Sequence, residues 1–96
     1  MMKCGGKSAE SKEISDNEQS IIDSIKEAVE SGIGKTFTKF KGLSYKSQVV
    51  AGTNYYFKVE TDDDIIHLKV FRPLPHTKLP PQLSSYEIGK KLEDEL

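Results

Sequence analysis

The 96-residue sequence lacks the features that mark membrane, disulfide-bonded and nucleic-acid-binding proteins. No apolar run approaches the roughly 18–20 residues that cross a bilayer, and the first ten residues lack the apolar stretch of a secretory signal. Cys4 is the only cysteine, which excludes an intrachain disulfide and a multi-cysteine zinc site. The 14 Lys and Arg nearly balance the 15 Asp and Glu without a basic stripe that would attract phosphates. We therefore expect a cytoplasmic protein with no membrane or nucleic-acid partner.

Catalytic signatures are also missing. The sequence contains no GxSxG, HExxH, phosphate-binding-loop or dinucleotide-binding motif. Cys4 lies far along the chain from His67 and His76, which disfavours a thiol–base pair, and His67 fits a histidine on the face of a sheet. The acidic run at 62–64 lacks the spaced ligands and the glycine of a calcium loop, so a solvated turn is expected there. The sequence thus predicts no enzyme, no cofactor and no metal site.

The length fits a single domain spanning residues 1–96. Residues 1–13 are small, polar and charged, and we expect them to form a flexible N-terminal trunk. A helix is expected to begin at Ser15 or Asp16, with Glu18 completing a capping box. Apolar residues then recur every four positions, the spacing of a buried helix face, at Ile21, Ile25, Val29, Ile33 and Phe37.

Two glycines interrupt the end of this helical pattern. Gly32 and Gly34 each cost about 1 kcal/mol relative to alanine inside a helix. The helix either ends near Ser31 or continues because burial of Ile33 and Phe37 outweighs that cost. We expect the helix to continue, with a locally weak point at the glycines.

After Gly42 the apolar period changes from four to two, which is typical of strands with one buried face. The alternation predicts strands near residues 43–47, 54–60 and 66–71 and a last strand at about 83–89. One helix followed by consecutive antiparallel strands indicates an α+β domain. The apolar face of the helix is expected to pack on the apolar face of the sheet.

The segment that joins the first two predicted strands is unusually apolar. It consists of Gln48, Val49, Val50, Ala51 and Gly52, whereas hairpin tips usually carry Asn, Asp, Gly or Ser. Only Gly52 adopts a positive φ at low cost. The valines either end a buried strand or form an exposed binding surface.

A second unusual segment lies between the last two predicted strands. Leu74 stands between Pro73 and Pro75, His76 follows, and Pro80-Pro81 come shortly after. The prolines stiffen this segment, which is either an ordinary rigid loop or a second part of a binding surface. Together with the glycines near the N-terminus, these apolar and glycine-rich segments would form a wedge suited to a cleft.

These residues resemble the stefins, the single-domain intracellular branch of the cystatin family. Residues 48–59 are similar to the family's QVVAG segment and the strand that follows it. Stefin patterns also match at 67–71, at Leu74-Pro75, at Tyr86 and at the Asp-Glu-Leu ending, with the expected separations. A lone QxVxG pattern has little specificity, but its combination with the other matches is specific.

The resemblance implies a cystatin-like fold in which an antiparallel sheet of about five strands grips one long helix. It also implies a reversible, tight-binding inhibitor of papain-like, cathepsin-type cysteine proteases, which occludes the active-site cleft with a three-part wedge. In that arrangement Lys3 and Cys4 belong to a trunk along the non-primed side, and Gly5 lets the chain turn away from the nucleophile. The first hairpin, Gln48, Val49, Val50, Ala51 and Gly52, would lie over the cleft, and Leu74, Pro75 and His76 on its primed side.

The sequence departs from the stefin pattern at three places. Lys3 is charged where the trunk is usually apolar, Gly32 and Gly34 lie where the helix normally continues, and Pro73 precedes Leu74. The alternative function is a non-inhibitory protein-interaction module on the same fold, for which polar hairpin tips would be expected. We expect mainly a monomer, which can also form a Cys4-linked or a domain-swapped dimer.

Overall fold

The structure, a computed structural model, describes residues 11–94 and 96, with only the backbone of Pro75. Five antiparallel strands pair in the order β1-β2-β3-β4-β5, and two helices lie between β1 and β2. This arrangement confirms the predicted α+β class and the sheet of about five strands. The elements are β1 (Lys12–Glu13), α1 (Asp16–Ser24), α2 (Lys26–Ile33), β2 (Phe40–Val50), β3 (Gly52–Thr61), β4 (Ile65–Arg72), a short 3-10 helix (Pro75–Thr77) and β5 (Gln82–Lys90).

The helical region begins as predicted. Ser15 is the N-cap of α1, and its backbone N–H donates to Oε1 of Glu18 at 3.0 Å, which satisfies one free donor of the first turn. The helix is divided at Ile25, where the predicted single helix is wrong. The Ser24 hydroxyl donates to the Ile21 carbonyl at 2.6 Å, a side-chain contact that competes with the regular helical pattern. In the described part of the chain no helix is long and apolar enough to cross a membrane.

The helical region also ends earlier than predicted. Gly34 has φ 81° and ψ 36°, and its N–H donates to the Glu30 carbonyl at 2.8 Å. A left-handed glycine in this position is the usual way to end a helix, so α2 stops at Ile33. Phe37 is nevertheless buried, because the loop carries it back to the core, where it stacks on Phe40 with ring centroids 5.6 Å apart. The four-residue period therefore predicted the burial of Phe37 correctly, but Phe37 lies in a loop and not in the helix.

A single apolar core lies between the helices and one face of the sheet. The helices contribute the stripe that the sequence predicts, and β3 and β4 contribute alternate residues from facing positions. Each such side chain, moved from water into the core, stabilises the fold by about 1.5–3 kcal/mol. The most completely buried members are Phe57, Ile22, Ile66, Leu68, Val29, Val59 and Val70.

The strands extend further than the alternation alone indicated. Pairing between β2 and β3 continues from Phe40↔Thr61 to Val50↔Gly52, so the apolar segment after Gln48 belongs to the hairpin itself. The predicted acidic turn is present between β3 and β4, where the Asp62 carboxylate accepts the backbone N–H groups of Thr38 and Lys39, each at 2.6 Å. Sequence reasoning missed β1, whose two residues, the last of the predicted trunk, pair with β2.

Gly42 marks a close approach between the sheet and α1. It is buried beside a bulge in β2, between Gly42 and Ser44, and its N–H donates to Oε1 of Gln19 at 3.0 Å. A Cβ added at Gly42 would lie 2.5 Å from Cδ1 of Ile22 and 3.0 Å from Cγ1 of Ile14. Because the Ile22 side chain is fully buried, it has no free space into which it could move.

We expect the Gly42→Ala substitution to destabilise the fold by about 1–3 kcal/mol, the usual cost of overpacking a close-packed core. In a strand without this contact, alanine would be the better residue. Urea unfolding measures the effect, and Lys41→Ala at the exposed neighbouring position is the matched control, with an expected change within about 0.5 kcal/mol. A Gly42→Ala protein as stable as the unmodified chain would contradict the close approach of α1 to β2.

Candidate functional site

The tip of the first hairpin exposes apolar side chains at one edge of the sheet, meaning here the edge formed by the strand ends, where β2 ends and β3 begins. Val50 pairs with Gly52, so Ala51 alone connects β2 to β3. Val49 is 69% exposed and Val50 44%, and Ala51 is also exposed. The valines are thus exposed and do not end a buried strand, while their role as a binding surface stays a prediction. This hairpin tip, residues 48–52, is a rigid apolar projection.

Gly52 makes the tight connection sterically possible. Its φ of 126° lies in a region that residues other than glycine rarely adopt. A Cβ at this position would also lie 2.6 Å from the backbone oxygen of Arg72 and 2.9 Å from two ring atoms of Phe71. Both the turn and the close approach to β4 therefore require glycine.

Gln48 braces the hairpin from the side. Its Oε1 accepts hydrogen bonds from Nδ2 of Asn54 at 3.0 Å and from the Tyr56 hydroxyl at 3.2 Å. Both donors belong to β3, so the glutamine side chain links the two strands just below the tip. These bonds reduce the freedom of the hairpin before any partner arrives.

The segment between β4 and β5, called here the second loop (residues 73–81), has a fixed start. Pro73 is buried, while Leu74 is 39% exposed and His76 is also exposed. The carbonyl of Leu74 accepts from both the backbone N–H of Thr77 at 3.0 Å and its hydroxyl at 2.7 Å. Pro75 opens the 3-10 turn that these bonds close.

The second loop exposes one further apolar residue that the sequence interpretation did not include. Leu79 is 56% exposed and lies three residues after His76. It borders a small cavity of about 260 Å³ between the loop and α1, together with Arg72 and Pro81. Its position just before Pro80-Pro81 was the only sequence signal that could have drawn attention to it.

The hairpin tip and the second loop lie at the same edge of the sheet. Thr53, directly after the tip, pairs with Arg72, directly before the second loop. The close contact between Gly52 and the Arg72 carbonyl joins the two segments through backbone atoms. The structure thus brings together the predicted groups Gln48, Val49, Val50, Ala51 and Gly52 and Leu74, Pro75 and His76.

The predicted N-terminal part of the site, Lys3, Cys4 and Gly5, lies outside the described residues. The first described element after it is β1, which pairs through Lys12↔Tyr45 and Glu13↔Ser44. Because β1 is antiparallel to β2, the N-terminal end of β1 is the end nearer the hairpin tip. The chain therefore enters the sheet from the side on which the two exposed segments lie.

The exposed edge presents apolar side chains. Among residues 11–94 and 96, no three His, Cys, Asp or Glu side chains are placed to hold a metal ion. His67 lies within the sheet rather than at this edge, and burial, followed by the charges of Lys58 and Lys90, lowers its pKa. What the edge offers is preformed apolar shape.

Comparisons with known proteins agree with this geometry. A family model described as "Cystatin domain" matches residues 7–93. The chain is 45% identical over 96 residues to cystatin-B of Bos taurus and of Homo sapiens, covering 99% of this chain and 97% of each relative. It is 46% identical to cystatin-B of Sus scrofa with the same coverage. The chain therefore belongs to the cystatin family, in its stefin branch, and is a cysteine protease inhibitor rather than an enzyme.

Proposed function

We propose that the chain inhibits papain-like cysteine proteases of the cathepsin type by filling their active-site cleft with a three-part wedge. The observation that carries this proposal is the exposure of Val49 and Val50 on a rigid hairpin tip. Exposed valines are unfavourably hydrated in the free protein. Their removal from water by a partner therefore makes the free energy of binding more favourable. Inhibition is reversible and tight, because docking is non-covalent and the wedge is formed in advance.

In this wedge the hairpin tip, residues 48–52, lies over the catalytic cleft. Leu74, Pro75 and His76 lie on the primed side, beside the tip because β3 and β4 pair up to Thr53↔Arg72. We assign Lys3, Cys4 and Gly5 to the non-primed side, with Gly5 turning the chain away from the protease nucleophile.

The shape of the wedge accounts for inhibition without cleavage. A hairpin that enters the cleft by its tip does not extend a scissile peptide bond along the nucleophile, so the protease has no bond to cut. Its loops lose little conformational entropy on docking, since Gln48, Gly52 and the Leu74–Thr77 bonds already hold them. An interface of about 800 Å² per partner, the standard size, fits a wedge of these dimensions.

A charge at the tip tests the proposed function most simply. Val50→Asp is expected to raise the inhibition constant for papain about 30-fold or more, because an unpaired carboxylate in a dehydrated contact costs at least about 2 kcal/mol. The fold should not change, since Val50 is 44% exposed. Progress curves of papain hydrolysing a peptide substrate give the constants.

The matched control for this substitution is Ile88→Asp. Ile88 is an apolar residue of β5 with 56% exposure, so the change in chemistry and exposure is comparable while the position lies outside the wedge. It should inhibit as the unmodified chain does. Equal inhibition by the Val50→Asp protein would remove the hairpin tip from the binding surface.

The N-terminal residues are expected to determine how long the complex lasts. Removal of residues 1–4 should leave the association rate nearly unchanged and speed dissociation, as is usual when one part of an interface is lost. The loss should differ between two papain-like proteases whose non-primed pockets differ. Replacing Lys3 with Leu should make the binding free energy for an enzyme with an apolar pocket more favourable by about 1–2 kcal/mol, and should slow dissociation accordingly. Stopped-flow and dissociation kinetics check this, and a slower association with unchanged dissociation would contradict it.

We also propose a cytoplasmic monomer as the active form. A reducing compartment suits the single cysteine, Cys4, which under oxidation would link two chains and keep both N-terminal segments out of a cleft. A domain-swapped dimer, in which β2 and β3 straighten into a neighbour, would lose the hairpin tip. Size-exclusion chromatography followed by papain assays of each fraction should find inhibition in the monomer alone. Full inhibition by a dimer would contradict this proposal.

A further inference from the structure

The face of the sheet that points away from the helices carries a cavity that the proposed wedge does not use. The cavity has a volume of about 630 Å³, within the usual range for sites that hold small molecules. Alternation along the strands places the side chains of Tyr56, His67, Lys69, Ser85 and Glu87 on this face, opposite the core. Leu96, from the segment after β5, completes the lining.

The histidine in this lining has an unmet hydrogen-bonding group. His67 is only 8% exposed, and its Nε2 atom is buried with no hydrogen-bond partner among the described residues. Leaving such a group unpaired costs about 1–3 kcal/mol, so buried polar atoms of this kind ordinarily have a partner. A ligand in the cavity that accepts a hydrogen bond would supply it.

A lysine beside the histidine gives the cavity its charge preference. Lys69 is half-buried, and its Nζ lies 5.9 Å from the centre of the Tyr56 ring. No carboxylate lies within ion-pair distance of Lys69 in the described part of the chain. Glu87, the acidic residue of the lining, forms an exposed ion pair with Nζ of Lys90 at 3.7 Å.

Apart from the Ser85 hydroxyl, the remaining lining side chains are apolar or aromatic. The Tyr56 ring lies under Lys69, and Leu96 covers part of the cavity. We propose that this cavity binds a small carboxylate that carries an aromatic or branched apolar group. Lys69 pairs with the carboxylate, Nε2 of His67 donates a hydrogen bond to one of its oxygens, and Tyr56 and Leu96 contact the apolar group.

The segment after β5 forms the cover of this site. The Leu92 carbonyl accepts a hydrogen bond from Nζ of Lys58 at 2.5 Å, and the Lys91 carbonyl accepts one from the backbone N–H of Asp94 at 3.0 Å. The first of these bonds holds the Leu92 backbone against the outer face of the sheet. Because Nε2 of His67 is buried, a ligand oxygen reaches it only when the side chains around it shift. Since His67 and Leu96 both line the cavity, ligand binding perturbs both of them.

The charges around His67 predict a second signature. Burial lowers the pKa of His67 from its ordinary value of 6.5, as do Lys58 and Lys90, while Glu87 and Asp94 act in the opposite direction. A bound carboxylate adds a negative charge next to the ring and stabilises its protonated form, so it raises the pKa of His67. By linkage, the carboxylate binds more tightly as the pH falls through the histidine titration.

The test uses indole-3-acetate as the probe and the neutral indole-3-acetamide as its matched analogue. The chain contains no tryptophan, so the indole fluorescence reports on the probe with little interference. Anisotropy of the probe should rise saturably with added protein for the carboxylate, and the amide should bind at least about tenfold more weakly. NMR spectra should show shifts at His67 and Leu96 and a higher pKa for His67 when indole-3-acetate is present.

Two lysine variants distinguish binding in this cavity from nonspecific electrostatic attraction of the probe to the protein. Lys69→Gln should weaken binding of indole-3-acetate about tenfold. Lys41→Gln, on the same face but outside the cavity lining, should bind it as the unmodified chain does. Equal affinity for acid and amide, equal weakening by both variants, or no saturable binding at millimolar probe would each overturn the proposal. None of these outcomes bears on protease inhibition, which the same samples report separately.

Discussion

The pairing of β3 with strands on both of its sides is the constraint on which the candidate site depends. On one side Val50↔Gly52 ends the ladder with β2, and on the other Thr53↔Arg72 ends the ladder with β4. A slip of one residue in either ladder would turn every side chain of the strand to the opposite face of the sheet. The buried Phe57 prevents that slip, because it would have to leave the core. Core packing therefore fixes the position of two loops that lie outside the core cluster and in which Gly52 and Pro73 are buried.

The same constraint explains why an apolar tip is compatible with a stable fold. Exposed valines at the end of a strand invite association with another chain. Here the tip is narrow, since Ala51 alone connects the strands. The Arg72 carbonyl also lies so near that only glycine fits at position 52. The shape suits a cleft better than a flat surface. Apolar residues that would promote aggregation on a broad edge are, in the function proposed above, the residues that contact the protease.

Sequence alone predicted the α+β class, the strands, the acidic turn and the composition of the apolar tip, because these follow from local periodicity and turn chemistry. The break at Ile25 was not predictable, since the apolar spacing continues across it and the hydrogen bond from the Ser24 hydroxyl to the Ile21 carbonyl leaves no signal in the sequence pattern. The helix ends earlier than the periodicity predicts because a buried Phe37 does not require a helix, and a loop buries it equally well. The exposure of the valines and the contact between Gly52 and β4 arise from tertiary pairing, on which a single sequence carries no signal.

The two faces of the sheet differ in the side chains that they carry. The face toward the helices carries the apolar core and supplies stability, while the outer face carries His67 and Lys69, which line a cavity together with Leu96. Sequence reasoning placed His67 on a sheet face, which the structure confirms. It could not find the cavity, because the lining includes Leu96, whose return over the sheet depends on contacts far from it in sequence.

Backbone hydrogen exchange of the chain, alone and with an equimolar amount of papain, tests the central claim most directly. If the two loops at one edge of the sheet enter the cleft, exchange should slow at residues 49–53 and 74–77 when papain is added. The acidic turn at residues 62–64 lies at the opposite edge and should exchange at the same rate in both samples. Protection of that turn with none at the two loops would contradict the account.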